Sequence, residues 1–328
     1  MGRQQDHHDQ APVVWLLTDN KPGHRNQLKG LGNRLRVLTG ASLHWVEIPA
    51  RKVPLWRVIL ARPPKQSENL PNPDLIIAAG TGTHRLLLAL RKSRNAKTMV
   101  IMKPGFPVRW VNAAAIPSHD HPASSPRILT TQGVINTVTP LARVTNKPEA
   151  LILIGGPSPH FEWDSDSIFS QTQKLIMDYP QWRWTISGSR RTPDDLLTRL
   201  EELANLKVTV VDHRRTHESW LNHQLPASRA VWVTPDSMSM VCEAVTSGIP
   251  TGLLELPAKT GSRVAEGIMH LVKEGLASPV SDHEAVMSGR HTLEHGLWEA
   301  DRAARWVISR RLLPLPLRSG KTDKRTTT

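Results

Sequence analysis

The stretch "VVWLLTDNKPGHRNQLKGLGNRL", Val13–Leu35, decides the reading of the fold. Val13–Thr18 is an apolar run of strand length, and Leu28, Leu31, Leu35 and Leu38 then recur at helical spacing. Between them a loop carries Asp19, Lys21, Gly23, His24, Arg25 and Asn26. A structural turn needs only a Gly or an Asn, so a carboxylate, an imidazole and two cations together call for another reason. In open α/β sheets ligands bind outside the carboxyl ends of strands, which is where this loop falls.

The same strand–loop–helix unit recurs outward from this point. "HWVEIP", "DLIIAAGTGTHRLLLALRK", "KTMVIMKPG", "AAAIPSHD" and "PRILTTQGVIN" follow in the first half. After the Pro-bearing link "PLARVTNKPEA" a second series begins, with "ALILIGGPSPHFEWD", "WRWTISGSRRTPDD", "KVTVVD" and "AVWVTPDSMSMVCEAVTSGIPTGLLEL". Repetition of this kind predicts parallel sheets covered by helices. The expected class is therefore α/β, with two Rossmann-like domains facing across a cleft. Residues 12–146 form the first, acceptor-side domain and 147–300 the second, donor domain. A helix over 301–316 packs back on the body, and 1–11 and 317–328 are disordered. Thr192 is expected to cap the helix opened by Pro193-Asp194-Asp195.

At 328 residues the chain is long enough for two cores. Its single cysteine, Cys242, excludes an intrachain disulfide, which suits a reducing, cytoplasmic setting. No secretory signal opens the chain and no window is long and apolar enough to span a membrane. The net charge of +13 is unevenly placed. Residues 1–150 hold 21 Lys and Arg against 8 Asp and Glu, and the rest hold 21 of each. A basic half beside a neutral one points to an anionic membrane surface, the inner face for a cytoplasmic protein, or to a lipid-linked acceptor. Nucleic acid is not expected, because the cations are spread over several elements and no binding motif is present.

Three loops of the second half suit a nucleoside diphosphate. Gly155-Gly156 lets backbone approach a ligand closely. Ser187, Ser189, Arg190 and Arg191 offer two hydroxyls and two guanidiniums. Asp236, Ser237, Met238, Ser239 and Met240 open a helix whose free N–H groups favour phosphate, and Glu243 could accept both hydroxyl protons of a ribose. In the first half Gly80, Thr81 and Gly82 form a tight turn ahead of a helix, where backbone N–H groups can hold an anion. With Lys21, Gly23, Asn26 and Gln27 they make up the candidate acceptor or phosphate side.

The blocks "WLLTDNKPGHRNQLKGL", "PDLIIAAGTGTHR", "IPSHD", "ILTTQGVINTVTP", "LILIGGPSPHFEWD", "ISGSRRTP" and "VWVTPDSMSMVCEAVTSGIP" together resemble the elongated-mitochondria type of mitochondrial fission protein and its bacterial homologues. The resemblance runs from about Val13 to Leu256. More distantly, "LILIGG" and "DSMSMVCEAVTSGIP" are similar to the donor domain of GT-B glycosyltransferases such as the enzyme making lipid II. That similarity implies a nucleotide-sugar held mainly by the second domain, without an essential metal or other cofactor. It places Glu243 on the donor ribose, Ser237 to Met240 at the diphosphate, and Gly155-Gly156 near phosphate or sugar. Unlike those enzymes, the chain has no long glycine-rich loop after its first strand, which leaves less room for a bulky acceptor diphosphate.

Sugar transfer needs a base on the attacking hydroxyl and stabilisation of the departing diphosphate. Asp120 and Asp19 are the first candidates for the base, with His24 and His119 behind them. The expected activity is metal-independent glycosyl transfer from a nucleoside-diphosphate sugar to a membrane-associated glycan or lipid, cell-envelope lipopolysaccharide among them. The alternatives are a nucleotide-sugar epimerase on the same fold and a non-catalytic, membrane-peripheral scaffold.

Overall fold

The computed structural model describes residues 11–48, 53–60, 69–217, 219–289 and 296–314. The expected disordered ends lie outside these residues, apart from Ala11. The chain forms two compact units. Unit 1 is Met1–Ala115, Ser125–Leu129 and Asp301–Thr328; unit 2 is Ile116–Ser124 and Thr130–Ala300.

Unit 1 is built on β1 (Val13–Thr18), α1 (Pro22–Thr39), β2 (Ser42–Glu47), α2 (Leu55–Ile59), β3 (Leu75–Ala79), α3 (His84–Arg94), β4 (Lys97–Ile101), β5 (Ala113–Pro117) and β6 (Ile128–Thr131). The sheet order is β2-β1-β3-β4-β5-β6, and β2, β1, β3, β4 and β5 pair in parallel. Strands of such a sheet are covered on both faces, so they read as unbroken apolar runs. Val14 to Leu17 and Leu75 to Ala79 are accordingly 0% exposed. Each buried aliphatic side chain contributes about 1.5–3 kcal/mol, so these runs fix the sheet. Pro22 opens α1, where its missing N–H costs nothing, and Gly40 closes the helix at φ +72° with its amide bonded to Arg36 O.

Unit 2 follows with β7 (Glu149–Leu153), α4 (Ser165–Asp178), β8 (Arg183–Ser187), α5 (Asp194–Glu201), β9 (Val208–Val211), α6 (Trp220–Ala227), β10 (Ala230–Val233), α7 (Met238–Thr246), β11 (Thr251–Leu253), α8 (Arg263–Lys273), β12 (Ser278–Pro279), α9 (His283–Ser288) and the start of α10 (Glu299–Ser309). Its order, β12-β11-β10-β7-β8-β9, is that of the doubly wound dinucleotide fold. In each sheet the chain reverses its direction of winding beside the first strand. The crevice therefore lies between β1 and β3 in unit 1 and between β7 and β10 in unit 2.

The division departs from a cut at residue 146. Residues 130–146 pack with unit 2, where the buried Asn136 donates to Thr246 Oγ1 at 3.0 Å and to Cys242 O at 3.3 Å. The short turn Ser118–Asp120 also belongs to unit 2. From Asp301 onward α10 packs on unit 1, with Asp301 accepting from Arg34 of α1. Side-chain pairing across long sequence separations sets these boundaries, and no local pattern announces it.

Candidate functional site

In unit 2 the loops after β7, β8 and β10 interlock. The Gly155 N–H donates to Thr234 Oγ1 at 2.7 Å, and the Gly156 N–H to Asp236 Oδ2 at 3.1 Å. Asp236 is buried and ion-paired to Arg191 Nη2 at 2.6 Å, and its Oδ1 has no hydrogen-bond partner among the described residues. A Cβ on Gly155 would stand 2.2 Å from either Asp236 oxygen, and one on Gly156 would stand 1.9 Å from Arg191 O. The glycine pair is thus required by this internal approach of Asp236 and Arg191.

The hydroxyls expected to face phosphate are spent on the same construction. Ser189 Oγ donates to Gly155 O at 3.1 Å, and the buried Ser187 donates to Gly188 O at 3.2 Å. Thr192 is not the cap of α5, a position held by Pro193 without a side-chain bond. Its Oγ1 instead donates to Gly155 O at 2.6 Å and Ile154 O at 3.0 Å and accepts from the Ser189 N–H. Thr192 and Thr234 are functional-site residues that sequence reasoning missed or misassigned, because their partners are 37 and 79 positions away. Arg190 is exposed and without an ion pair among the described residues, whereas Arg191 is committed to Asp236. The two adjacent arginines are therefore not equivalent.

Ser237 is the N-cap residue of α7 and makes no side-chain cap bond, so the first amides of the helix, at Met238, Ser239 and Met240, are not capped by it. An uncapped helix start with a guanidinium nearby is a favourable place for a diphosphate. Glu243 lies about one and a half turns along α7 and is half-buried.

In unit 1 Asp19 and His24 form a dyad, with His24 Nδ1 2.8 Å from Asp19 Oδ1 and the Asp19 side chain 7% exposed. The Lys21 N–H also donates to Asp19 Oδ1, at 3.2 Å. The dyad sits on the glycine turn after β3. Gly80 has φ +86°, and a Cβ there would meet His24 Nδ1 at 2.4 Å and Asp19 Oδ2 at 2.7 Å. Thr81 and Gly82 are exposed beside it, as are Lys21 and Gly23. Asn26 is half-buried, and the buried Gln27 leaves its Oε1 without a hydrogen-bond partner among the described residues. His84, which opens α3, was not anticipated; burial and then the neighbouring His24 push its pKa down. The loops after β1 and β3 thus meet at the crevice of unit 1.

His119 and Asp120 belong to unit 2, whereas Asp19 and His24 belong to unit 1. Both are buried, and Asp120 accepts from Arg263 Nη1 at 2.8 Å. Burial holds the His119 pKa below its ordinary value, against the opposing pull of Asp120. His119 packs against Gly267 of α8, where a Cβ would stand 2.9 Å from its Nδ1. With His160, Thr260, Ser262 and Arg263 these two residues line a cavity of about 290 Å³.

Two Rossmann-like units, each with its polar loops at a topological switch point, define a GT-B-like fold. The family model for mitochondrial fission ELM1 matches residues 22–311, and the chain belongs to that family. No curated protein matches it. A Listeria monocytogenes structure assigned as a UDP-N-acetylglucosamine 2-epimerase is similar at TM-score 0.61 and 10% identity, over 90% of this chain and 95% of that one. The Neisseria meningitidis UDP-GlcNAc 2-epimerase bound to UDP-GlcNAc aligns at TM-score 0.51 and 11% identity, over 90% and 99%. The S. aureus MnaA structure with UDP aligns at TM-score 0.52 and 12% identity, over 92% and 89%. At these identities the likeness is one of fold.

Proposed function

We propose that this protein binds a uridine-diphosphate sugar in unit 2 and transfers the sugar to an acceptor hydroxyl. The observation that carries the reading is the closure of the loops after β7 and β10 on each other at the switch point of unit 2, beside the start of α7, whose N-cap residue Ser237 makes no side-chain cap bond. Uridine is chosen because relatives in fold hold it. The amides of Met238 to Met240 and the Arg190 guanidinium stabilise the departing diphosphate, and Glu243 accepts from the ribose hydroxyls. Asp236, Arg191, Ser189 and Thr192 act one step back, by holding the loops in place.

In the transfer, the acceptor oxygen forms a bond to the anomeric carbon as the bond to the diphosphate oxygen breaks. UDP leaves, and the acceptor proton passes to a base. Asp19, with His24 bonded to it, and Asp120, with His119 beside it, are the two candidate bases. No metal is required by this scheme, because helix amides and a guanidinium supply the positive charge.

The acceptor is proposed to be membrane-associated. Unit 1 carries much of the basic excess, and Leu55, Trp56, Ile59 and Leu60 on and beside α2 are 49–70% exposed. Arg51, Lys52, Arg57, Arg62 and Lys65 flank them in sequence. Cations close in sequence to an exposed Trp–Leu–Ile cluster suit the interface of an anionic bilayer. No helix among the described residues is long and apolar enough to cross a membrane.

Epimerisation is the second reading, favoured by two buried or half-buried imidazoles in one cavity, which could remove and return a ring proton. Incubation with radiolabelled UDP-sugars, with and without lipid or oligosaccharide acceptors, separates the two. Transfer predicts label moving to the acceptor, whereas label in an isomeric sugar without acceptor supports epimerisation. Neither product would contradict both.

A further inference from the structure

The cavity at the start of α8 is not among the groups proposed to hold the diphosphate, and its chemistry is specific. At about 290 Å³ it is near the lower bound of small-molecule pockets, roughly 300–1,000 Å³, so it has room for one small ring. His119, Asp120, His160, Thr260, Ser262 and Arg263 supply its polar groups. His160 Nδ1 lies 3.2 Å from Ser262 Oγ, which also accepts from the Ala265 N–H and so caps α8. The buried His119 Nδ1 has no hydrogen-bond partner among the described residues.

Burial, aided by neighbouring cations, lowers the pKa of both imidazoles. Near neutral pH each ring therefore offers one donor and one acceptor. Arg263 contributes donors and Asp120, bonded to it, contributes acceptors. A site for a bare anion would present donors alone, and a carboxylate in its wall would repel the ligand. Mixed donors and acceptors, with the one carboxylate of the lining paired to its one guanidinium, match groups that both donate and accept, as sugar hydroxyls do.

Position supports the same assignment. A Cβ at Gly267 would stand 2.7 Å from Met238 Cε and 2.9 Å from His119 Nδ1. The first residue of α7 and the cavity wall thus meet at one point on α8. Arg191, from the loop after β8, is close enough to His160 to depress its pKa. A diphosphate held at the α7 N-terminus would have this cavity beside it.

We infer that this cavity is the subsite for the sugar ring of the donor, that it takes an uncharged hexose, and that His160 and Thr260 read its hydroxyls. The inference rests on the nucleotide-sugar reading of unit 2. His119 and the Asp120–Arg263 pair shape the wall and fix the depth of the subsite. Gly267 is a positioning residue, because only glycine lets His119 approach α8 so closely.

Titration calorimetry on the full chain tests the inference, using UDP alone and UDP-glucose, UDP-galactose and UDP-N-acetylglucosamine as probes. Thr260→Val and His160→Ala are compared with the parent after circular dichroism has verified that they fold. Thr260 is exposed, so its substitution leaves the core untouched. Each variant should bind UDP like the parent but raise the ratio of UDP-hexose to UDP dissociation constants about five- to tenfold, the loss of one good hydrogen bond. Unchanged UDP binding with an unchanged ratio in both variants would overturn the subsite and leave the nucleotide site standing. Loss of UDP affinity in step with the UDP-hexoses would overturn it too, because the cavity would then serve the nucleotide. A parent that binds no UDP would remove the underlying reading and the subsite with it.

Discussion

The carboxylate of Asp236 occupies the space where a side chain at Gly155 would begin, 2.2 Å from the ideal Cβ position. This contact locks the loop after β10 to the loop after β7 and holds Arg191 at 2.6 Å on Oδ2, the oxygen that also accepts from the Gly156 N–H. It explains why two glycines follow β7: they admit a buried carboxylate and a backbone carbonyl from the protein itself.

Gly155→Ala should therefore displace Asp236 and destabilise the chain by about 1–3 kcal/mol, the usual cost of overpacking. Urea unfolding should show the midpoint falling with little change in slope. A variant as stable as the parent would mean that the loops rearrange freely and that Asp236 does not hold them.

The imidazoles set a pH dependence of stability. Burial lowers the pKa of His84, His119 and His160 from an ordinary value of 6.5. Between the lowered values and 6.5 the unfolded chain binds more protons than the folded one, so stability rises with pH. It should be fully present above about 6.5 and fall as the pH drops below that value. Urea midpoints at pH 7.5 and 5.5 measure the effect, and His119→Gln should shrink the difference. A midpoint that stays level or rises on acidification would contradict the burial of neutral rings.

The base can be found by kinetics. Asp19→Asn, His24→Ala, His119→Ala and Asp120→Asn should each keep UDP affinity. The variant that removes the true base should lose about 10²–10⁴ in turnover. Full transfer rates in all four would place the base elsewhere.

Membrane binding should depend on both charge and apolar exposure. Sedimentation with vesicles containing phosphatidylserine should be strong at low salt and weaken as salt screens the cations. Trp56→Ser combined with Leu55→Ser should weaken it further at fixed salt. Binding that ignores salt, or none to anionic vesicles, would remove the membrane from the account.

The α/β class was legible, and inner strands such as β1, β3 and β10 stood out because parallel strands buried on both faces read as continuous apolar segments; β2 and β9, only partly buried, were read from the strand–loop–helix repetition instead. β12, two residues long, was not, since so short a strand leaves no pattern. The loops at strand ends were also legible as polar interruptions. What each residue does in them was not. Thr192 reads locally as a helix cap, yet its hydroxyl serves Gly155 and Ile154; Arg190 and Arg191 look alike in sequence, yet one is exposed without an ion pair among the described residues and the other is bound to Asp236. The cavity beside α8 draws on three separate segments, around residues 119, 160 and 262, whose meeting no local spacing encodes.

The central claim is that unit 2 holds a nucleoside diphosphate at the α7 N-terminus with Glu243 on the ribose. Calorimetric titration of UDP into the full chain and into Glu243→Ala tests it most directly. The parent should bind one UDP saturably, and inorganic phosphate at equal concentration should not displace it. Glu243→Ala should weaken binding about 10- to 150-fold, the loss of a charged hydrogen-bond partner. No binding to the parent, or equal affinity in the two proteins, would contradict the account.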